Sequence, residues 1–330
     1  MTEDRSSQGS ALIVTLTPNP SIDRTVELTS ALDRGAVLRA GATSSQAAGK
    51  GVNISRAAVA AGLPTIAVLP ADSDDPYVLE LLAAGVDCRP EPPAGDVRTN
   101  LTITEPDGTT TKINSPGATA TPEVLGRLRT ALGQRSRGAA WVVLAGSLPP
   151  GAPDDWYATL VADLVGGPAA VAVDTSGAPL EALAAHLSEA APALMKPNAE
   201  ELASLTGGDP GAIEADPAVA ARAGATLVER GVGAVLATLG AGGAVLVTTE
   251  GAWHATPPPT TVVSTVGAGD SSLFGYLLGA LRGEDAPGRL RLAVAYGSAA
   301  AGLPGTTIPT PDHINPELVD VAELLVPTAT

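Results

Sequence analysis

Short apolar runs alternate with helical patterns along nearly the whole chain, and this rhythm sets the first expectation. "ALIVTLTP" (11–18), "TIAVLP" (65–70), "WVVLAG" (141–146), "AVAVDTS" (170–176), "ALMKPN" (193–198) and "AVLATLG" (234–240) read as buried strands. Between them lie helical stretches such as "TPEVLGRLRTALGQR", "PDDWYATLVADLVG" and "DPAVAARAGATLVERG", some opening on a capping residue or an early proline. Such a β-α-β rhythm predicts an α/β fold, a mostly parallel central sheet flanked by helices on both faces. One region departs from it. "RTNLTITEPDGTTTKIN" (98–114) alternates polar and apolar positions around Asp107-Gly108, a hairpin signal, and predicts a small antiparallel sheet standing off the main one as a lid. No internal repeat and no long linker interrupts the chain; "ATPPPTT" (255–261) reads as a loop. The expected organisation is a disordered extension over 1–10, one domain over 11–325 with lid strands including about 98–114, and a tail over 326–330.

Composition narrows the partners. A formal charge of −16 over 330 residues argues against nucleic acid and against an acidic membrane surface, since both need a basic footprint. The first apolar run, "ALIV", is too short for a signal-peptide core or a membrane span, so a soluble, cytoplasmic protein is expected. Cys88 is the only cysteine, which excludes an intrachain disulfide and a thiolate metal cluster, and His186, His254 and His313 lack metal-ligand spacing. If the ligand is a phosphate, its cations must be local.

The candidate chemistry concentrates in a few stretches. In "STVGAGDSSLFGYLLGALRG" (264–283), Leu273, Phe274, Leu277, Leu278 and Leu281 recur at helical spacing and predict one buried face. Ahead of them Gly267, Ala268, Gly269 and Asp270 are nearly bare until the carboxylate. Either Asp270 caps the helix, or bare N–H groups form an anion site with a carboxylate base beside it. "AAGKGVN" (47–53) is not a Walker A loop, because Ser44 replaces its first glycine and Gly51 its Ser/Thr; "LGAGGAVLV" leads into a strand and is not a Rossmann fingerprint. Gly49, Lys50 and Gly51 open a helix beside Asn53, which suits a phosphate plus a polyol as well as it suits a tight turn. Asn198 and Glu201 in "KPNAEEL" form either a capping box or a pair of ligands to hydrated Mg²⁺. Arg98 and Asn100 share one face of the lid strand, and Asp23 reads as a turn aspartate.

Taken in order, "TLTPNPSID", "GKGVNISRA", "RTNLTI", "GSLPPG", "VDTSG", "KPNAEEL", "TLGAGGA", "TVGAGD" and "YGSAAAGLPG" resemble the ribokinase-like sugar kinases of the PfkB family, in its hexose-phosphate branch, from about Ile13 to about Ile314. The resemblance implies an ATP-dependent kinase that phosphorylates C6 of fructose 1-phosphate, with tagatose 6-phosphate or fructose 6-phosphate as alternative substrates. It also leaves a non-catalytic sugar- or nucleotide-binding protein as the alternative class. It implies that Asp270 is the general base and that Gly267, Ala268 and Gly269 form the anion hole. By the same resemblance, Asp23, Gly49, Lys50, Asn53, Arg98, Asn100 and Ser147 hold the phosphosugar, and Asn198 and Glu201 organise Mg²⁺. Lys196, Asn198, Thr238, Gly240, Gly243 and Ser298 then belong to the ATP site, and the lid could pair two copies into a homodimer. Departures from the branch are Ala48 in place of a glycine, "SSQ" before it, and the bulky Phe274 and Tyr276.

Overall fold

The computed structural model describes residues 11–325; the extension and tail read from the sequence lie outside the described residues. The strands are β1 (Ile13–Leu16), β2 (Ser21–Leu28), β3 (Ala40–Ala48), β4 (Thr65–Pro70), β5 (Asp87–Glu91), β6 (Arg98–Thr104), β7 (Thr110–Ile113), β8 (Trp141–Ala145), β9 (Ala170–Asp174), β10 (Leu194–Met195), β11 (Ala234–Thr238), β12 (Ala244–Thr248), β13 (Gly251–Thr256) and β14 (Asp320–Leu324). Ten of them make one sheet in the order β14-β13-β12-β11-β10-β9-β8-β1-β4-β5. All six expected strands form, and they stand side by side as a parallel run from β11 to β4, extended by β5. Successive side chains of this run enter opposite cores: Val14, Leu16, Val142 and Leu144 one, Ile13, Trp141, Val143 and Ala145 the other. Continuous apolar runs are therefore required, because neither sheet face meets water.

The order reverses at β1, whose neighbours are β4 on one side and β8 on the other. At such a switch point the loops leaving adjacent strands diverge and open a crevice at the carboxyl ends of the strands. The cleft of this protein lies there.

Two helices on one sheet face shape its floor. The helix Ala268–Leu281 was expected to bury one face, yet every residue from Asp270 to Gly279 is buried. The helix Ala286–Ala301 covers the second face, and it can approach because Gly275 and Gly279 have no side chain: a Cβ at Gly275 would collide with the Leu292 backbone, and one at Gly279 would stand 2.9 Å from Arg289 Cα. Phe274 stacks edge-on against Tyr296 at 5.2 Å between ring centres, and Tyr276 against Trp141 at 6.4 Å. The bulky residues are thus absorbed by ring contacts away from the acid.

The small sheet has the order β3-β2-β6-β7. Its β6–β7 hairpin turns at Asp107-Gly108 as the sequence indicated, with Gly108 at φ 90° and the Asp107 carboxylate accepting from Thr109 N at 2.9 Å. The other half of the sheet, β2 and β3, was not read from the sequence. Pairing is antiparallel within β2–β3 and β6–β7 and parallel between β2 and β6. The β2–β6 register sets Ser21 beside Arg98 and Asp23 beside Asn100. Asp23 is accordingly a strand residue on the cleft side of the lid, where the sequence had suggested a turn. Among the described residues, no helix is long and apolar enough to cross a membrane.

Candidate active site

A cavity of about 1100 Å³ opens between the carboxyl ends of the main strands and the small sheet, and all eighteen candidate residues named from the sequence line it. From the lid come Asp23, Arg98 and Asn100; from the loop after β8, Ser147; from the start of the helix Lys50–Ala60, Gly49, Lys50 and Asn53. The far half is built by Lys196, Asn198 and Glu201 after β10, by Thr238, Gly240 and Gly243 after β11, and by Ser298 of the helix Ala286–Ala301. Gly267, Ala268, Gly269 and Asp270 stand between the two halves.

The two readings of Asp270 separate on geometry. Gly267, in the left-handed region at φ 78°, occupies the cap position of the helix Ala268–Leu281, and that helix start has no side-chain cap hydrogen bond. The Asp270 carboxylate accepts instead from Asn53 Nδ2 at 2.8 Å. It does not cap its own helix; Ala268 N bonds the Thr265 carbonyl at 3.4 Å, and the N–H groups of Gly269 and Asp270 stay available to an anion. Burial, with the neighbouring Asp174 charge adding to it, pushes the Asp270 carboxyl up to about 6, against the opposing pull of Lys50, Asn53 and Lys196.

Asp174, paired with two lysines of the candidate site, is a residue that sequence reasoning passed over. It sits fully buried at the end of β9, with Lys50 Nζ 2.6 Å from Oδ1 and Lys196 Nζ 3.2 Å from Oδ2. The Lys196 contact is off hydrogen-bond geometry, which leaves Oδ2 buried without a donor. Burial alone would raise the Asp174 carboxyl; Lys196 and Lys50 outweigh it and hold it below the usual carboxylate range. In turn, burial draws the Lys50 ammonium down, but Asp174 and Asp270 hold it well above the usual lysine range, fully charged. The available signal was an acid ending an apolar strand in "AVAVDTS".

Glycine is needed where the cleft wall is tightest. A Cβ at Gly51 would sit 2.5 Å from Thr17 Oγ1 and 2.8 Å from the Leu16 carbonyl, so the Ser/Thr of a Walker A loop could not be accommodated there. In the lid, Asp23 Oδ1 accepts from Ser21 Oγ at 2.9 Å and Asn100 Nδ2 at 3.1 Å. Arg98 donates to the Ser115 carbonyl at 2.9 Å and to Ser147 Oγ at 3.4 Å, bridging lid and main sheet. Asn198 and Glu201 form the reciprocal capping box, Glu201 N to Asn198 Oδ1 at 2.8 Å and Asn198 N to Glu201 Oε2 at 2.9 Å. They also face the cleft, so the cap fixes two oxygen-bearing side chains at its edge. Cys88 and the histidines stay outside this chemistry: the Cys88 thiol is pushed up to about 12 by burial, and His186, His254 and His313 bond backbone or Thr310 groups.

The arrangement resembles known proteins throughout its length. The model of the pfkB family of carbohydrate kinases matches residues 16–313. A 1-phosphofructokinase of Rhodobacter capsulatus is 36% identical over 307 residues, covering 92% of this chain and 94% of the relative. One from Escherichia coli (strain K12) is 35% identical over 294 residues, covering 87% and 90%. The crystal structure of Escherichia coli phosphofructokinase-2 in complex with fructose-6-phosphate superposes with a TM-score of 0.81 at 28% identity, covering 91% of this chain and 96% of the other. With the sheet, the lid and the cleft between them in place, the chain belongs to the pfkB family of carbohydrate kinases and is a phosphotransferase.

Proposed function

We propose that this kinase transfers the terminal phosphoryl group of ATP to the C6 hydroxyl of fructose 1-phosphate, giving fructose 1,6-bisphosphate and ADP. The observation that carries the reading is the Asp270 carboxylate, uncapped, held by Asn53, and set beside the bare first turn Gly267–Gly269 where lid and nucleotide halves meet. In the step, the acceptor oxygen bonds to phosphorus, the bond to the ADP oxygen breaks, and Asp270 takes the hydroxyl proton. Negative charge that builds on the transferring oxygens is met by the helix N–H groups and by the Lys50 and Lys196 ammoniums on the floor. Arg98 holds the phosphate already on the sugar, and Asp23, Asn53 and Asn100 read ring hydroxyls.

The donor set at the nucleotide side fits Mg²⁺: Glu201 and Asn198 offer hard oxygens, and each oxygen in the capping box has further lone pairs. Among the described residues there is no group of three or more His, Cys, Asp or Glu that could hold a metal, which suits an ion bound chiefly by phosphates and water. When bound, the ion supplies charge neutralisation on the ATP phosphates. Glu201→Gln is expected to raise the Mg²⁺ concentration for half-maximal turnover by about tenfold with the sugar-phosphate KM within about threefold. An unchanged Mg²⁺ requirement with a lower Tm would reduce the pair to a helix cap.

Similarity of the curated relatives favours fructose 1-phosphate. Fructose 6-phosphate is the second reading, because the solved neighbour binds it and the furanose has a pseudo-two-fold that exchanges C1 with C6. Loss of the base or of the Mg²⁺ pair would mark a non-catalytic binder; Asp270, Asn198 and Glu201 are all present.

The pH profile tests the base. A carboxylate must be ionised to accept a proton, so kcat at saturating substrates should fall tenfold per unit below a midpoint set by Asp270 in the substrate complex, a carboxyl that burial already raises to about 6 in the free enzyme. The profile of kcat is the right one to read, since kcat/KM also reports ionisation of the free sugar phosphate near pH 6. A kcat that stays flat down to pH 4.5 would remove Asp270 from that role.

A further inference from the structure

Two carboxyls and two ammoniums meet on the cleft floor, and they pair unequally. Lys50 and Lys196 both go to Asp174, at 2.6 and 3.2 Å. Among the described residues, no lysine or arginine nitrogen lies within ion-pair distance of Asp270, whose partner is the neutral Asn53 amide. One lysine per acid would balance charge more evenly, since a buried carboxylate without a counter-ion is costly. The uneven pairing has a local cause. Asp174 is fully buried between the start of the helix Lys50–Ala60 and the end of β10, and its backbone carbonyl is pinned by Gly146 N at 2.9 Å. Lys196 runs beneath the first turn of the Asp270 helix, its Nζ 3.2 Å from where a Gly269 Cβ would stand, yet it turns to Asp174.

We propose that Asp174 is a positioning residue: by holding both ammonium groups it keeps the Asp270 carboxylate free of an ion pair, so that a lone pair stays open to the acceptor hydroxyl. The inference rests on Asp270 being the base. A carboxylate locked to an ammonium is both a weaker base and sterically occupied. Asp174 thereby also keeps two cations at fixed points under the transferring phosphoryl group. The charged or titratable groups around the pair are Lys50, Lys196, Asp270 and Glu201, with the Tyr157 hydroxyl nearby and donating to the Gly146 carbonyl.

The test is the kcat–pH profile of Asp174→Asn, with wild type, Lys196→Met and Asp270→Asn alongside. The amide is isosteric but cannot balance two ammoniums, so they turn to Asp270. The expected result is a kcat lowered about 10- to 100-fold at pH 7.5, with the acid limb moved down by about one pH unit or more. Lys196→Met removes a cation and leaves Asp174 on Lys50, so its limb should not move down. Loss of the Asp174 charge alone would also lower the limb, since that charge helps hold the Asp270 carboxyl up, but would leave kcat at pH 7.5 within about threefold; that result, an unmoved limb with only a lower Tm and active fraction, or an upward shift overturns the proposal. Should Asp174→Asn fail to fold, Asp174→Asn combined with Lys196→Met removes the uncompensated buried ammonium. Lys50 remains free to turn, and a limb at or above the wild-type position in this variant overturns the proposal equally. An active Asp270→Asn would defeat the base assignment and the proposal with it; an inactive one with an unmoved Asp174→Asn limb defeats only the proposal.

Discussion

Replacing Asp270 by asparagine is expected to lower kcat by about two to four orders of magnitude, or about 3–5 kcal/mol of transition-state stabilisation, while ATP binding persists. The change is nearly isosteric, and the amide can still meet Asn53. Stability should not fall. The Asp270 carboxyl titrates higher in the folded chain, about 6, than its ordinary 3.8. Its favourable contribution to folding is therefore complete below about pH 4 and is lost as pH rises through 6, so at pH 7.5 the ionised group opposes folding. The amide carries no such penalty, and Tm at pH 7.5 should be unchanged or higher. This separates catalysis from capping: a capping aspartate would lose Tm and keep turnover. Turnover within tenfold of wild type would assign the proton transfer elsewhere.

The second large effect is expected at Arg98. Its guanidinium spans lid and main sheet through the Ser115 carbonyl and Ser147, with Nε buried and without a partner. Arg98→Met keeps the apolar stem and removes the charge and the fork, so the KM for the sugar phosphate should rise about 10- to 100-fold, the scale of a charge-assisted hydrogen bond, with the KM for ATP within about threefold. Equal loss for both substrates would mean that Arg98 holds the lid closed instead of holding the phosphate. Lys50 is expected to behave differently, because its ammonium is committed to Asp174 on the floor. Lys50→Met should lower kcat as well as sugar-phosphate affinity.

How far these features could be read in advance follows from their physical range. The six parallel strands are continuous apolar runs because both sheet faces are buried, and that pattern is local, so it survives in the sequence. The β6–β7 hairpin was equally legible from Asp107-Gly108. The strands β2 and β3 were not, because an exposed, half-polar lid edge such as "AGATSSQAA" has no strong period. Asp23 was misplaced for the same reason. The choice between the two readings of Asp270 and the uneven pairing at Asp174 lie beyond local reading altogether: Asn53 and Asp270 are 217 residues apart, and Lys50 and Asp174 are 124 apart. Only the fold brings them together. Gly275 and Gly279 carry no local signal of their role, and their use as a seat for the neighbouring helix is visible only with that helix in place.

The most direct measurement is ADP release with ATP and Mg²⁺, with kcat/KM determined side by side for fructose 1-phosphate, fructose 6-phosphate and tagatose 6-phosphate. Fructose 1-phosphate should be preferred by at least about tenfold, because a site that bonds ring hydroxyls through Asp23, Asn53 and Asn100 rejects a misplaced one. The product should be fructose 1,6-bisphosphate. A preference for either other sugar would contradict the substrate assignment, and no sugar-dependent ADP release with any of the three would contradict the reading of this cleft as a sugar-phosphate kinase site.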